Sequence, residues 1–402
     1  MGITSGYLLL EDGRQFEGIA IGALAPQSSS KAEQSVEPVF GELVFNTSMT
    51  GYQEICTDPS YTEQIVCFTA PQIGNYGVSV ADSQDPRADK AALKAIIVRE
   101  LSPMANGARC EGDFTAWLVD QGIGGLSRID TRAVTRHLRD KGAMRAGIFV
   151  GDVTTGDLPA DALGQVKAQQ SMDGANLASV VTTAEAFAFD GSGSRTLLPR
   201  GKSETLSMPA IDLAPSADEG ATTTHSSGTR VKPWHVAVVD CGLKRGILES
   251  MKSAGINATV LPLSTAAETL LSGTYDGVLI SNGPGDPAAV NAAVALAQHL
   301  TAKIPMLGIC LGYQILALSL GAKTFKMSFG HHGGNHPVID RESGEIWITA
   351  QNHGFAVDRD SLPDTVEETH VSLFDGSNCG IRLKGKPVFS VQHHPEASPG
   401  PQ

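Results

Sequence analysis

The chain has 402 residues, 41% of them hydrophobic, and 43 acidic against 30 basic side chains, for a formal net charge of −13. That length exceeds what a single core usually serves, so two domains are expected. The acidic balance excludes nucleic acid as a natural partner, because neutralising a phosphate backbone needs a basic stripe.

The N-terminus runs directly into Tyr7-Leu8-Leu9-Leu10-Glu11-Asp12-Gly13, a strand-and-turn pattern without the charged lead-in or cleavage site of a secretion signal. Nowhere is there a run of about 18 apolar residues, so no membrane span is expected. The polar stretch Pro26–Pro38 reads as a surface loop insertion. Ile96-Ile97-Val98 resembles a buried strand, and Arg132–Leu138 reads as a helix N-capped by Asp130. After Phe189 the composition shifts to Ser, Thr, Gly and Pro, and 190–233 reads as a solvated linker. Beyond it, apolar runs at Val236–Val239, Thr259–Leu261, Val278–Ile280 and Pro305–Ile309 alternate with helical patterns at Gly246–Ala254, Ala289–Leu300 and Tyr313–Leu320. This alternation predicts a doubly wound parallel sheet in an α/β C-terminal domain, preceded by a mixed α/β N-terminal domain. Functional groups are then expected beyond the carboxyl ends of the strands. The organisation read is 1–155, a connecting segment 156–232, and 233–402. Six dispersed cysteines lack the paired spacing of a zinc site or the density of a disulfide scaffold, which fits a reducing cytoplasmic setting. A plastid location stays open if a transit peptide has been trimmed.

Gly308-Ile309-Cys310-Leu311-Gly312 falls between a strand and a helix pattern and has the form of a nucleophile elbow with cysteine in place of serine. Small neighbours allow the sharp turn, and a helix N-terminus favours thiolate over thiol. A lone cysteine is more often a core residue; the flanking glycines argue for chemistry. A nucleophilic thiol needs a base and a group to orient it. His394-Pro395-Glu396 carries both types two residues apart, on one face if the chain is extended there. In isolation this would read as a surface turn. The order nucleophile, His, Glu differs from that of the α/β-hydrolases. Asn282-Gly283-Pro284-Gly285-Asp286-Pro287 follows a strand, so its N–H groups, with that of Leu311, can form an oxyanion hole worth about 3 kcal/mol per donor.

With these elements the chain resembles the class I, or triad, glutamine amidotransferases. Within that class it resembles the carbamoyl-phosphate synthase small-subunit family, through Phe45–Glu54, Thr57-Asp58-Pro59-Ser60-Tyr61, Asp130-Thr131-Arg132, Phe329–Pro337, Gln351-Asn352-His353-Gly354-Phe355 and Pro395–Pro401. The resemblance implies that Cys310 attacks the side-chain amide of L-glutamine, that His394, oriented by Glu396, protonates the departing ammonia, and that water hydrolyses the thioester. It also implies glutamine contacts at Ser60, Gly283, Gly285, Leu311, Gln314, Asn352, Gly354 and Phe355. The implied partner is a large synthetase subunit, in a heterodimer or a higher oligomer, which receives the ammonia through a tunnel. That partner would use ATP, Mg and bicarbonate to make carbamoyl phosphate for arginine and pyrimidine synthesis. No cofactor is expected on this chain. Gln314, one helical turn after Cys310, suits reading the polar end of the substrate.

His331-His332 with His336 invites a metal reading, but the intervening glycines set no ligand geometry and none is expected. His393 is expected to point away from His394, and Cys241 to serve packing. The family has His where this chain has Tyr313, and Asn where it has Gly246. It also continues into a final helix where this chain ends at Gln402, which implies an exposed apolar sheet surface and lower stability. Two rivals are a scaffold subunit with a dead glutaminase site and a cysteine hydrolase of other specificity. The intact Cys310, His394 and Glu396 count against the first, and the N-terminal half against the second.

Overall fold

The structure, a computed structural model, describes residues 4–25, 36–86, 91–151, 158–189, 233–397 and 399–400, with the backbone alone at 195–197. Most of 26–38 and most of 190–233 therefore lie outside the described residues.

The N-terminal part is built on seven strands, β1 (Ser5–Leu10), β2 (Gln15–Gly22), β3 (Val39–Asn46), β4 (Gln64–Phe68), β5 (Ala95–Ile97), β6 (Gly124–Ser127) and β7 (Met144–Val150). They close into a barrel in the order β1-β2-β6-β5-β4-β3-β7. The pairs β3/β4, β4/β5 and β5/β6 are parallel, and the others antiparallel. Side chains alternate between two cores with the period of two that a pleated strand imposes. Leu43, Phe45, Ile65, Cys67, Ala95 and Ile97 pack in one core, while Val44, Val66, Phe68 and Ile96 pack in the other. Burial on both faces explains why Ile96-Ile97-Val98 reads as an unbroken apolar run. The helix Thr131–Lys141 begins as expected, with Asp130 Oδ1 accepting from Ala133 N at 3.0 Å.

The second sheet comprises β8 (Phe187–Phe189), β9 (Arg195–Leu197), β10 (Trp234–Asp240), β11 (Ile256–Pro262), β12 (Gly277–Ile280), β13 (Met306–Ile309), β14 (Lys323–Asp340), β15 (Ile346–Asp358), β16 (Val366–Ser372), β17 (Asn378–Leu383) and β18 (Val388–Val391). Its order is β15-β14-β16-β17-β18-β13-β12-β10-β11-β8-β9. The centre, β11-β10-β12-β13-β18, is parallel and matches the doubly wound expectation. Antiparallel strands extend both sides. Ala237, Val239, Val278 and Ile280 face the helices Asn291–Leu300 and Leu311–Ser319. Val238, Val260, Leu279 and Ile309 face the helix Arg245–Ser253.

Two features depart from the sequence reading. Arg195–Leu197, inside the stretch read as linker, forms a strand against Phe187–Phe189. The long β14–β15 hairpin had no counterpart among the predicted elements, because its register shifts between Lys326 and His331 and between Gly333 and His336 break the alternation that marks a strand.

The barrel and the second sheet are joined by main-chain and ionic contacts. Thr47 N donates to His332 O (3.1 Å), Ala143 N to Ser328 O (2.6 Å) and Arg245 N to Gln84 O (2.7 Å). Lys326 Nζ pairs with Glu42 at 2.6 Å.

Candidate active site

Cys310 sits at the carboxyl end of β13, as the residue before the helix Leu311–Ser319, with φ 54° and ψ −104°. A non-glycine residue in that region costs on the order of 1–3 kcal/mol and persists only where the surroundings impose it. Here the Cys310 N–H is held by Val391 O at 3.0 Å. The flanking glycines are required by space: a Cβ on Gly308 would lie 2.5 Å from Gly312 O, and one on Gly312 would lie 2.0 Å from Ile280 O. The first-turn N–H groups, beginning with Leu311, have no intrahelical acceptor and point their partial positive charge toward the elbow.

His394 and Glu396 reach the elbow from the segment after β18. The expected extended conformation at His394-Pro395-Glu396 is not what forms. His394 bridges Ala350, and Ala397 N then donates to His394 O at 3.0 Å, closing a turn over Pro395-Glu396. The fixed φ of proline suits the second position of a turn as well as it suits a strand. The turn still brings the side chains together, with His394 Nδ1 2.7 Å from Glu396 Oε1. A carboxylate only accepts, so Nδ1 carries the proton and Nε2 is left to face the thiol chemistry.

A third charged group completes the arrangement. Lys244 Nζ lies 3.0 Å from Glu396 Oε1 and donates to Ala397 O at 2.6 Å, and the Lys244, His394 and Glu396 side chains are all at most 2% exposed. Burial works against the charge on Glu396, but Lys244 and then His394 outweigh it and hold the carboxyl down at about 2. Burial likewise opposes the imidazolium of His394. The Glu396 carboxylate more than offsets burial and the repulsion of Lys244, with a further contribution from Cys310, and lifts His394 to about 10. The Cys310 thiol donates to Asn352 O at 3.4 Å. His394 Nε2 is buried without a hydrogen bond among the described residues.

Cys310 opens onto a narrow cleft lined also by Ser60, Gly283, Gly285, Gln314, Asn352, Gly354 and Phe355. Of the glutamine contacts expected from the sequence, Leu311 alone does not line it; its side chain packs in the sheet core, leaving its N–H at the elbow. Gln314 Nε2 donates both protons inside the protein, to Phe355 O (2.7 Å) and Gln392 Oε1 (2.8 Å), so only its carbonyl oxygen is available to a ligand. The Asn352 side chain is likewise committed. Its Nδ2 donates to Asp58 Oδ2 (3.0 Å) and its Oδ1 meets His332 Nδ1 (2.8 Å). Ser60 Oγ accepts from Asn282 Nδ2 at 2.9 Å. Gly354 lines the cleft, and a Cβ on it would meet nothing within 4 Å. His394 lines an adjoining cavity with Asp58, Lys244 and Ala397, and Asn352 borders both spaces.

Sequence reasoning missed Lys244, Asp58 and His332. Asp58 had a local signal, an Asp before Pro59 at the start of a turn, and its Oδ1 does cap Ser60 N at 2.9 Å. His332 drew only the metal reading, and Lys244 had no local signal, since its partner Glu396 lies far away in the chain. The histidines considered for a metal have other contacts: His331 meets Asp375 at 2.9 Å, His332 meets Asn352, and His336 packs on His331 and Phe374. His393 packs against Trp347 and His370. Cys241 is buried in the sheet core. Tyr313 is core too, its hydroxyl bonded to Asn378. A Cβ on Gly246 would come within 3.2 Å of Glu396 Cγ, so the glycine lets its helix close on the acid.

Residues 237–402 match the family "Glutamine amidotransferase class-I", and residues 8–148 match "Carbamoyl-phosphate synthase small chain, CPSase domain". The chain is 46% identical over 403 residues to the carbamoyl phosphate synthase small chain of Salmonella typhimurium, covering 99% of this chain and 94% of that one. It is 45% identical, with the same coverage, to the protein of that name from Escherichia coli K12. It is also 45% identical to the one from Caulobacter vibrioides, covering 100% of this chain and 94% of that protein. With a class-I amidotransferase domain behind a barrel of the small-chain type, and near-complete coverage at this level of identity, the chain belongs to the carbamoyl phosphate synthase small chain family.

Proposed function

We propose that this chain is the glutaminase subunit of a glutamine-hydrolysing carbamoyl-phosphate synthase, releasing ammonia from L-glutamine for a large synthetase subunit. The observation that carries the reading is the strained Cys310 at the mouth of a polar cleft, backed by the buried His394–Glu396–Lys244 array.

His394 Nε2 holds the proton that has left the Cys310 thiol, as an imidazolium favoured by Glu396. The thiolate attacks the side-chain amide carbon, and the carbonyl π pair moves onto oxygen. The N–H groups of Leu311 and the Gly283-Pro284-Gly285 loop stabilise that oxyanion, and removing one such donor typically costs about 3 kcal/mol. When the tetrahedral centre collapses, the C–N bond breaks, His394 returns its proton to the leaving nitrogen, and ammonia departs. Water then adds to the thioester with His394 as base, releasing glutamate and restoring the thiol. At the other end of the substrate, the Gln314 carbonyl oxygen is an acceptor suited to the α-ammonium group.

No helix among the described residues is long and apolar enough to cross a membrane. The reading places the chain in the cytoplasm, assigns it no cofactor, and leaves ATP and Mg to the large subunit. Its test is glutamate release from glutamine by the chain and by Cys310→Ala, each with and without a carbamoyl-phosphate synthase large subunit. Release that requires Cys310 and rises with the partner supports the reading. A wild-type chain that releases none even with the partner overturns it.

A further inference from the structure

The helix Thr131–Lys141 buries Thr131, Val134 and Leu138 against the barrel. Its other face exposes Arg132, Arg136 and Arg139, at i, i+4 and i+7 and so on one stripe. With Thr47, Thr69 and Thr135 these arginines line an open groove. Arg132 and Arg136 have no ion pair or hydrogen bond among the described residues. Arg139 has a carboxylate only in its exposed neighbour Asp140, at 3.6 Å. Asp130, the other acid close by, is occupied in capping the helix. Three guanidinium groups line one groove with only the exposed Asp140 carboxylate paired to any of them, on a chain of net charge −13. Such a cluster repels itself until an anion joins it, and the planar guanidinium fork is matched best by carboxylates and phosphates.

The shape selects among anions. From i to i+7 the stripe runs on the order of 10 Å along the helix axis. That spacing accommodates several carboxylates in succession better than one small ion. The groove also adjoins the cleft wall: Thr47, which lines it, donates from N (3.1 Å) and Oγ1 (3.2 Å) to His332 O, and His332 holds Asn352, the acceptor of the Cys310 thiol. The arginine helix ends where Ala143 N ties the barrel to Ser328 of β14.

We propose that this arginine groove docks an acidic segment of the synthetase subunit, seating the partner on the residues that brace the glutamine cleft. The inference rests on the function proposed above. Its test is the affinity of the full-length chain for the purified large subunit at several salt concentrations, comparing wild type with Arg132→Gln/Arg136→Gln/Arg139→Gln and the triple Arg→Lys variant. The expected result is at least a tenfold loss of affinity and a shallower salt dependence in the glutamine variant. The lysine variant should keep most of the affinity, and partner-free glutamate release should be unchanged. Competition by a poly-glutamate peptide against the wild-type chain, which needs no variant to fold, is expected to displace the partner. Unchanged affinity in the glutamine variant overturns the docking site alone. Binding of inorganic phosphate to the groove without any effect on partner affinity also overturns it, in favour of a small-anion site. If the wild-type chain does not bind the large subunit at all, both this inference and the proposed function fall.

Discussion

Asp58 Oδ2 accepts a hydrogen bond of 3.0 Å from Asn352 Nδ2, joining the barrel to the amidotransferase cleft across 294 positions of sequence. The same aspartate caps the short turn that presents Ser60, and Asn352 O receives the Cys310 thiol. One barrel carboxylate thus braces both walls of the site.

Removing that brace should impair glutamine use more than stability. Asp58→Ala leaves Asn352 Nδ2 buried without its acceptor, a loss on the order of 1–3 kcal/mol. We expect kcat/KM for glutamate release to fall roughly ten- to hundredfold, with far-UV circular dichroism unchanged. Unaltered kinetics would remove Asp58 from the site.

The strain at Cys310 separates stability from activity. At φ 54° an alanine keeps the backbone penalty and a glycine does not. Neither variant should release glutamate. Cys310→Gly should nevertheless unfold at higher denaturant than Cys310→Ala, by about 1 kcal/mol. The reverse order in chemical denaturation would show that the elbow is relaxed.

The buried array makes stability depend on pH in two directions. Glu396, held at about 2 against an ordinary 4.5, contributes stability that is present above 4.5 and is lost as pH falls toward 2. His394, raised to about 10 from 6.5, contributes stability that is full below 6.5 and is lost as pH rises through 10. The stability difference between wild type and Glu396→Gln should therefore peak between pH 4.5 and 6.5 and shrink on both sides. Urea titrations across pH measure it, and a pH-independent difference would contradict the assignment.

Lys244→Met takes away the cation 3.0 Å from Glu396 and leaves the acid buried with His394 alone. Breaking a buried pair from one side costs about 3–5 kcal/mol. We expect a destabilisation of that order, together with an upward shift of Glu396 that weakens its hold on His394. Equilibrium unfolding and the pH profile of glutamate release test the two parts separately.

Two glycines should respond in opposite ways to one added methyl group. Gly312→Ala drives a Cβ to within 2.0 Å of Ile280 O and should prevent stable folding, whereas Gly354→Ala meets nothing within 4 Å. The second variant should fold with an unchanged melting temperature and bind glutamine more weakly, because Gly354 lines the cleft. A stable Gly312→Ala protein would mean that helix and sheet can separate at the elbow.

The parallel centre of the second sheet, the elbow and the pairing of His394 with Glu396 were legible in the sequence because each rests on local rules. These are apolar runs of strand length, small residues around a sharp turn, and an acid two positions from an imidazole. Closure of the barrel was not legible, since it depends on β7 pairing with both β1 and β3, and no local pattern encodes pairing between distant strands. The β14–β15 hairpin escaped because its bulges interrupt the strand alternation. Lys244, Asp58 and His332 enter the site through partners 152, 294 and 20 residues away. Their roles come from burial, which strips water from charged and polar groups and makes each depend on one fixed partner, and only the tertiary structure decides which partner that is.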